Sequence, residues 1–293
     1  MSELTLYCPA KLNLFLAITG RRADGFHELV SVVAPLAWGD TLRVEPADAF
    51  SLVCDDPGVP VDGSNLVLKA AEAFRVRTGW KGGAKFVLEK RIPMGAGLGG
   101  GSSDAAAALR GLNEMAGRPL NAGELAQVAA EVGSDCALFL HGGPVVMRGR
   151  GEKVEPLAEA GAKKIRGRRV LVFKPGFGIS TAWAYGRMAE GAPASYLPAE
   201  LAEARLGAWR GDGDAPAEDL LFNNMEAVAF TKYSALPVLL EGLRDEFWVT
   251  PRMSGSGSAC FVLLRDDVSV EAMTARIRAG WGESAFVIQT QLA

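Results

Sequence analysis

Apolar positions along this chain fall into short runs broken by glycine and proline, with a few stretches at helical spacing between them. Residues 4–8 predict a strand, and a second apolar stretch covers 12–18, beyond Pro9. Residues 21–25 read as a turn, and 29–33 and 41–44 as further strands. Leu66, Ala70, Ala73, Phe74 and Arg77 recur at the helical period, so a helix is expected over 66–77 with Ser64 or Asn65 as its cap. Residues 84–88 are strand-like, helices are expected over 104–116 and 122–132, and short strands over 145–147 and 170–173. A helix, a polar stretch over 207–218, two more helices and two strands complete the pattern. Strands and helices mix without regular βαβ alternation, which places the fold in the α+β class. A boundary near residue 160 divides the chain into expected domains 1–160 and 161–293.

Composition narrows the function. Hydrophobic residues make up 49% of 293, enough for one large core or two ordinary ones. The formal charge of -3 argues against a dedicated polyanion binder, since nucleic-acid affinity rests on clustered cations. The basic run Lys163-Lys164-Ile165-Arg166-Gly167-Arg168-Arg169 reads as a solvated connector, with a phosphate-binding patch as the lesser reading. No apolar run approaches the roughly 20 residues that cross a bilayer, and the start of the chain lacks the pattern of a signal peptide. Four scattered cysteines and two histidines, His27 and His141, offer no metal-ligand spacing. A cytoplasmic protein is expected, with no nucleic-acid or membrane partner.

The sharpest local signal is Pro93-Met94-Gly95-Ala96-Gly97-Leu98-Gly99-Gly100-Gly101-Ser102-Ser103-Asp104, leading into an alanine-rich helix. Such a density of glycine costs chain entropy, but it permits positive φ and lets backbone approach a ligand with no Cβ in the way. A helix start just behind it supplies unpaired amides and a positive dipole end, the elements of an anion site. Ser102 and Ser103 can cap that helix, donate to a phosphate oxygen or help hold Mg²⁺ through its water shell. The spacing Gly95-x-Gly97-x-x-Gly100 also fits a dinucleotide fingerprint, but the following Gly117-Arg118-Pro119 and a further helix leave no second parallel strand. A Walker loop fails for want of Gly-Lys-Ser/Thr, and a protein kinase for want of its His-Arg-Asp and Asp-Phe-Gly segments.

Three other segments carry chemistry. In Pro9-Ala10-Lys11-Leu12-Asn13-Leu14, Lys11 and Asn13 share one face of a strand. A buried Lys11 must meet a carboxylate or a phosphate, and an exposed edge lysine is the competing reading. Asp135, in Gly133-Ser134-Asp135-Cys136, stands between a helix end and an apolar run, and taken alone reads as a cap or turn residue. Ser254-Gly255-Ser256-Gly257-Ser258-Ala259 is a second small-residue loop ahead of a strand, open to reading as a hairpin turn or as amides for a phosphate.

In order along the chain, residues 9–14, 93–103 and 254–259 closely resemble the three motifs of the GHMP kinases. Asp24-Gly25-Phe26-His27-Glu28-Leu29, Lys90-Arg91-Ile92-Pro93-Met94-Gly95 and Gly133-Ser134-Asp135 resemble a narrower branch, whose acceptor is a cytidine diphosphate derivative of methylerythritol. The resemblance implies a two-domain α+β GHMP kinase fold: an N-terminal domain like ribosomal protein S5 domain 2 and a ferredoxin-like C-terminal domain. It implies ATP with Mg²⁺, Asp135 as catalytic base and Lys11 as its neighbouring cation. Lys90 and the run Pro93 to Ser103 would bind the nucleotide. Asn13, Phe26, His27, Gly255, Ser256 and Gly257 would bind a small-molecule substrate, in a monomer or homodimer. Phe26 stands where relatives often carry tyrosine, so the ring is kept and a hydroxyl is lost. A mevalonate- or homoserine-kinase-like activity is the alternative. An RNA-binding module and an NAD-dependent dehydrogenase fit the charge balance and the topology less well.

Overall fold

The computed structural model describes residues 3–293. It has two compact units. One holds the described residues up to Lys11 with Trp38–Met94 and Gly99–Gly142, and the other Leu12–Ala37, Gly95–Leu98 and Gly143–Ala293. These packing units partition the chain differently from the domains 1–160 and 161–293 expected from sequence.

Strands β1 (Leu4–Arg21) and β2 (His27–Ala47) each contribute residues to both units. The sequence pattern predicts three shorter strands here, over 4–8, 29–33 and 41–44, and a separate apolar stretch over 12–18, bounded by glycine and proline. A proline forfeits only its own ladder donor, so Pro9 and Pro35 are accommodated inside long strands. Gly39 serves a close approach: a Cβ there would lie 2.1 Å from the carbonyl oxygen of Cys8.

In the first unit, β2 pairs antiparallel with β4 (Gly83–Glu89), from Thr41 opposite Glu89 to Ala47 opposite Gly83. Strand β3 (Ser51–Cys54) runs parallel to β4 on its other edge. Helix α1 (Leu66–Thr78) packs on α2 (Gly100–Met115) and α3 (Ala122–Val132). Its cap is Asn65, whose side chain accepts the Val67 amide at 2.9 Å, and Gly79 closes it with φ 68°. Asn121 and Glu124 form a capping box on α3. Leu42, Val44, Phe74, Phe86 and Leu88 are buried between sheet and helices, each worth about 1.5–3 kcal/mol when fully removed from water.

The second unit contains β5 (Val145–Gly149) and β6 (Lys153–Pro156), α4 (Glu159–Ile165), β7 (Arg169–Lys174), α5 (Thr181–Glu190) and α6 (Ala199–Gly211). Then come β8 (Phe222–Asn223), α7 (Met225–Lys232), α8 (Ala235–Phe247), β9 (Arg252–Met253), β10 (Cys260–Leu263), α9 (Val270–Trp281) and β11 (Phe286–Gln291). Strands β7, β9, β10 and β11 form an antiparallel sheet in the order β11-β7-β10-β9. With α8 and α9 in the crossovers, that is the ferredoxin-like arrangement.

The basic run does not behave as a solvated connector throughout. Lys163 to Ile165 finish α4, and Lys164 donates to the carbonyls of Trp209 and Asp212 while lying 4.6 Å from the Trp209 ring centre. Arg166 pairs with Glu159, Arg168 with Glu218 and Arg169 with Asp266. Lys164, Arg166, Arg168 and Arg169 thus each meet a carboxylate or carbonyl, which argues against the phosphate-patch reading. The polar stretch over 207–218 is likewise helical to Gly211, because Trp209 is buried on that helix.

Candidate active site

The glycine-rich loop is held in shape by alternation. Gly95, Gly97 and Gly99 have φ of 61°, 76° and 74°, while Ala96 and Leu98 between them are buried anchors. Helix α2 starts at Gly100, four residues earlier than the sequence pattern placed it, and its cap is Gly99. Neither serine caps it. Ser102 lies beside the Cys136 thiol, and the Ser103 hydroxyl is buried without a hydrogen-bond partner. First-turn amides therefore stay open to an external acceptor.

Within the second unit the loop is laced to the segment after β9. The Ser254 hydroxyl donates to the Gly97 carbonyl at 3.2 Å and accepts the Asn13 amide at 3.3 Å. The Ala259 amide donates to the Ala96 carbonyl at 3.0 Å. A Cβ on Gly97 would fall 2.3 Å from the Ser254 carbonyl oxygen. Asn223 is buried and donates to the carbonyls of Met253 and Gly255, at 2.8 and 2.9 Å. Gly255 and Gly257 have positive φ, and the Ser256 and Thr181 hydroxyls stand 3.0 Å apart. The Asn13 side chain donates to the Ser31 hydroxyl at 3.0 Å.

Within the first unit, Lys11 meets the carboxylate that its burial demanded. Its ammonium lies 3.7 Å from Asp135 Oδ2, with the lysine side chain 4% exposed and the aspartate 40%. Burial lowers the Lys11 pKa, and Asp135 opposes that shift. Asp135 follows the end of α3 in a turn, beside which a Cβ on Gly99 would touch Phe139 Cζ at 2.8 Å and Lys11 Cγ at 2.9 Å. The Lys11–Asp135 pair thus abuts Gly99 of the loop, a geometry that can serve proton removal.

The side chain of Lys90 is only 6% exposed. Its ammonium is gripped by Asp40 and by Asp104 Oδ2, the latter at 2.9 Å. In the Asp24–Leu29 segment of the second unit, the Arg150 guanidinium sits 4.8 Å above the half-exposed Phe26 ring. His27 is buried against Tyr185 and Tyr196, with ring centres 4.9 and 5.8 Å away. His27 Nε2 and the Tyr196 hydroxyl are both buried without a hydrogen-bond partner. Burial, and then the charge of Arg21, lowers the His27 pKa, so the ring is neutral at pH 7.

The family of GHMP kinases N terminal domains matches residues 65–143. A 4-diphosphocytidyl-2-C-methyl-D-erythritol kinase of Alcanivorax borkumensis is 41% identical over 264 residues, spanning 88% of this chain and 81% of its own length. One from Gloeobacter violaceus is 36% identical and spans 100% of this chain and 96% of its own. The chain belongs to the 4-diphosphocytidyl-2-C-methyl-D-erythritol kinase family. A crystal structure of a 4-(cytidine 5'-diphospho)-2C-methyl-D-erythritol kinase, 33% identical, matches with a TM-score of 0.77 over 99% of this chain and 100% of that one. Homoserine kinase from Cytophaga hutchinsonii, at 16% identity and a TM-score of 0.73, shares the fold. Like its relatives in the 4-diphosphocytidyl-2-C-methyl-D-erythritol kinase family, the chain is a small-molecule kinase with the two-domain GHMP architecture.

Sequence reasoning passed over Asp40, Asp104, Asn223, Tyr185 and Tyr196. Asp40 carried a usable signal, a carboxylate that directly follows Gly39 and the apolar run over 32–38. The others are recognisable only by partners distant in sequence.

Proposed function

We propose that this kinase transfers the γ-phosphoryl group of ATP to the 2-hydroxyl of 4-diphosphocytidyl-2-C-methyl-D-erythritol. The observation that carries the reading is the Lys11–Asp135 pair set against Gly99 of the glycine loop. Amides of the loop and of the first turn of α2 bind the triphosphate. The Asp135 carboxylate accepts the hydroxyl proton as the acceptor oxygen bonds to phosphorus. The bond from phosphorus to the bridging oxygen breaks, and ADP leaves with that electron pair. Asp135, being 40% exposed, can return its proton to water. Lys11, 3.7 Å away, orients the carboxylate and offsets charge that builds in the transition state.

The acceptor is a tertiary alcohol, hindered and weakly acidic, so a positioned base matters more than it would for a primary alcohol. Its cytosine supplies the donors and acceptors that the unpartnered His27 Nε2 and Tyr196 hydroxyl lack, and Phe26 offers a ring face to the base. Mg²⁺, where it accompanies ATP, would neutralise charge on the phosphates; the buried Ser103 hydroxyl at the start of α2, without a hydrogen-bond partner, is the candidate protein group that would join phosphate oxygens and water in holding it. The test is ADP release with a panel of acceptors. Turnover with the cytidylated substrate and none with mevalonate or homoserine is expected; the reverse would overturn the assignment of substrate.

A further inference from the structure

The two ends of the glycine loop are joined by a buried group of charges that the proposed chemistry does not use. Asp40, on β2, is fully buried. Its Oδ1 accepts the backbone amides of Arg91 and Ile92, at 2.6 and 2.7 Å, which lie immediately before Pro93. Its Oδ2 takes the Lys90 ammonium. The same ammonium donates to Asp104 Oδ2 at 2.9 Å, on the second turn of α2, just past the loop. A Cβ on Gly100 would stand 2.9 Å from Lys90 Nζ, so the start of α2 rests directly on that ammonium. Two carboxylates and one ammonium with side chains at most 6% exposed are costly to assemble. A surface site would fix the same residues more cheaply, so the expense points to a demand for fixed geometry.

We infer that Asp40, Lys90 and Asp104 form a staple that sets the spacing between the start and the end of the phosphate loop. Asp40 and Asp104 act as positioning residues, through the loop, on nucleotide affinity. Asp40 carries the larger share, because it alone holds both the backbone before the loop and the ammonium. Lys90 then acts on the nucleotide through loop shape and makes no phosphate contact of its own. This rests on the reading above that the loop binds ATP.

The test is steady-state kinetics of ADP release by the full chain, with thermal unfolding of each variant. Asp40→Ala is expected to raise the KM for ATP about tenfold or more, with kcat within about threefold and the acceptor KM unchanged. Asp40→Asn keeps an acceptor for the two amides and should fall between, while Asp104→Asn should be mildest. Asp40→Ala combined with Lys90→Met should be no worse than the more damaging single change, since both break one unit. A KM for ATP left at the wild-type value in Asp40→Ala, or in Asp40→Asn if the alanine variant does not fold, overturns the staple. So do additive effects in the double variant, because they would give Lys90 a separate contact with the nucleotide. A wild-type protein without saturable dependence on ATP overturns the functional reading itself, and the staple with it.

Discussion

Replacing Asp135 by asparagine separates two jobs that one carboxylate could be doing. As the partner of Lys11 at 3.7 Å, it interacts by about 4 kcal/mol at an effective dielectric constant of about 20. Water reaches the aspartate, which is 40% exposed, and screening cuts this to roughly 1–2 kcal/mol. As the base for a tertiary alcohol it supplies about 10²–10⁴ in rate, equivalent to roughly 3–5 kcal/mol. The second effect is larger, so Asp135→Asn should lower kcat at least a hundredfold while the KM for ATP stays within about threefold. A coupled assay of ADP release measures both. Adding Lys11→Met to this variant removes the stranded ammonium. Recovery of kcat in the double variant would mean that Asp135 serves only as a counter-ion. A single Asp135→Asn variant within threefold of wild-type kcat would refute the role of base outright.

Three further outcomes are expected. Gly97→Ala forces a side chain into positive φ and to within 2.3 Å of the Ser254 carbonyl, so it should lower Tm and raise the KM for ATP more than tenfold; an unchanged KM would argue that the loop does not approach the phosphates. Burial, with Asp40 adding and Lys90 opposing, pushes Asp104 up from 3.8 to about 7, and Tyr7 and Cys8 of β1 also face this group of charges. The folded state therefore holds this proton more tightly than the unfolded one, a stability contribution complete below pH 3.8 and lost as pH rises through about 7. Asp104→Asn should flatten the fall in Tm across that window, and an unaltered curve would refute the assignment. His27→Phe keeps a ring against Tyr185 and Tyr196 but removes the unpartnered nitrogen, so the acceptor KM should rise at least tenfold with the KM for ATP unmoved; equal changes in both would point to general damage.

Local signals in the sequence marked what local physics decides. Asn65 as the cap of α1 and the buried run of β7 were both legible, because a cap or an apolar strand is set by its neighbours in the chain. The partner of Lys11 was legible as a kind of group, since a buried ammonium needs an anion, and the structure supplied Asp135. Pro9 and Pro35 misled, because proline signals a break only where the ladder needs its amide. The basic run misled for a related reason: Lys164 was solvated in expectation, but Trp209 and Asp212, far along the chain, offer it carbonyls. Asp40 and Asp104 could not be joined to Lys90 from sequence, since nothing in a chain of letters brings positions 40, 90 and 104 together.

The Ser254 hydroxyl bonds at once to the backbone at Asn13 and at Gly97. Three stretches from the start, middle and end of the chain therefore share one oxygen atom, and none of them can drift alone. Chimaeras should respect this linkage. A glycine loop transplanted from a relative ought to function only when the segments around Asn13 and Ser254 travel with it.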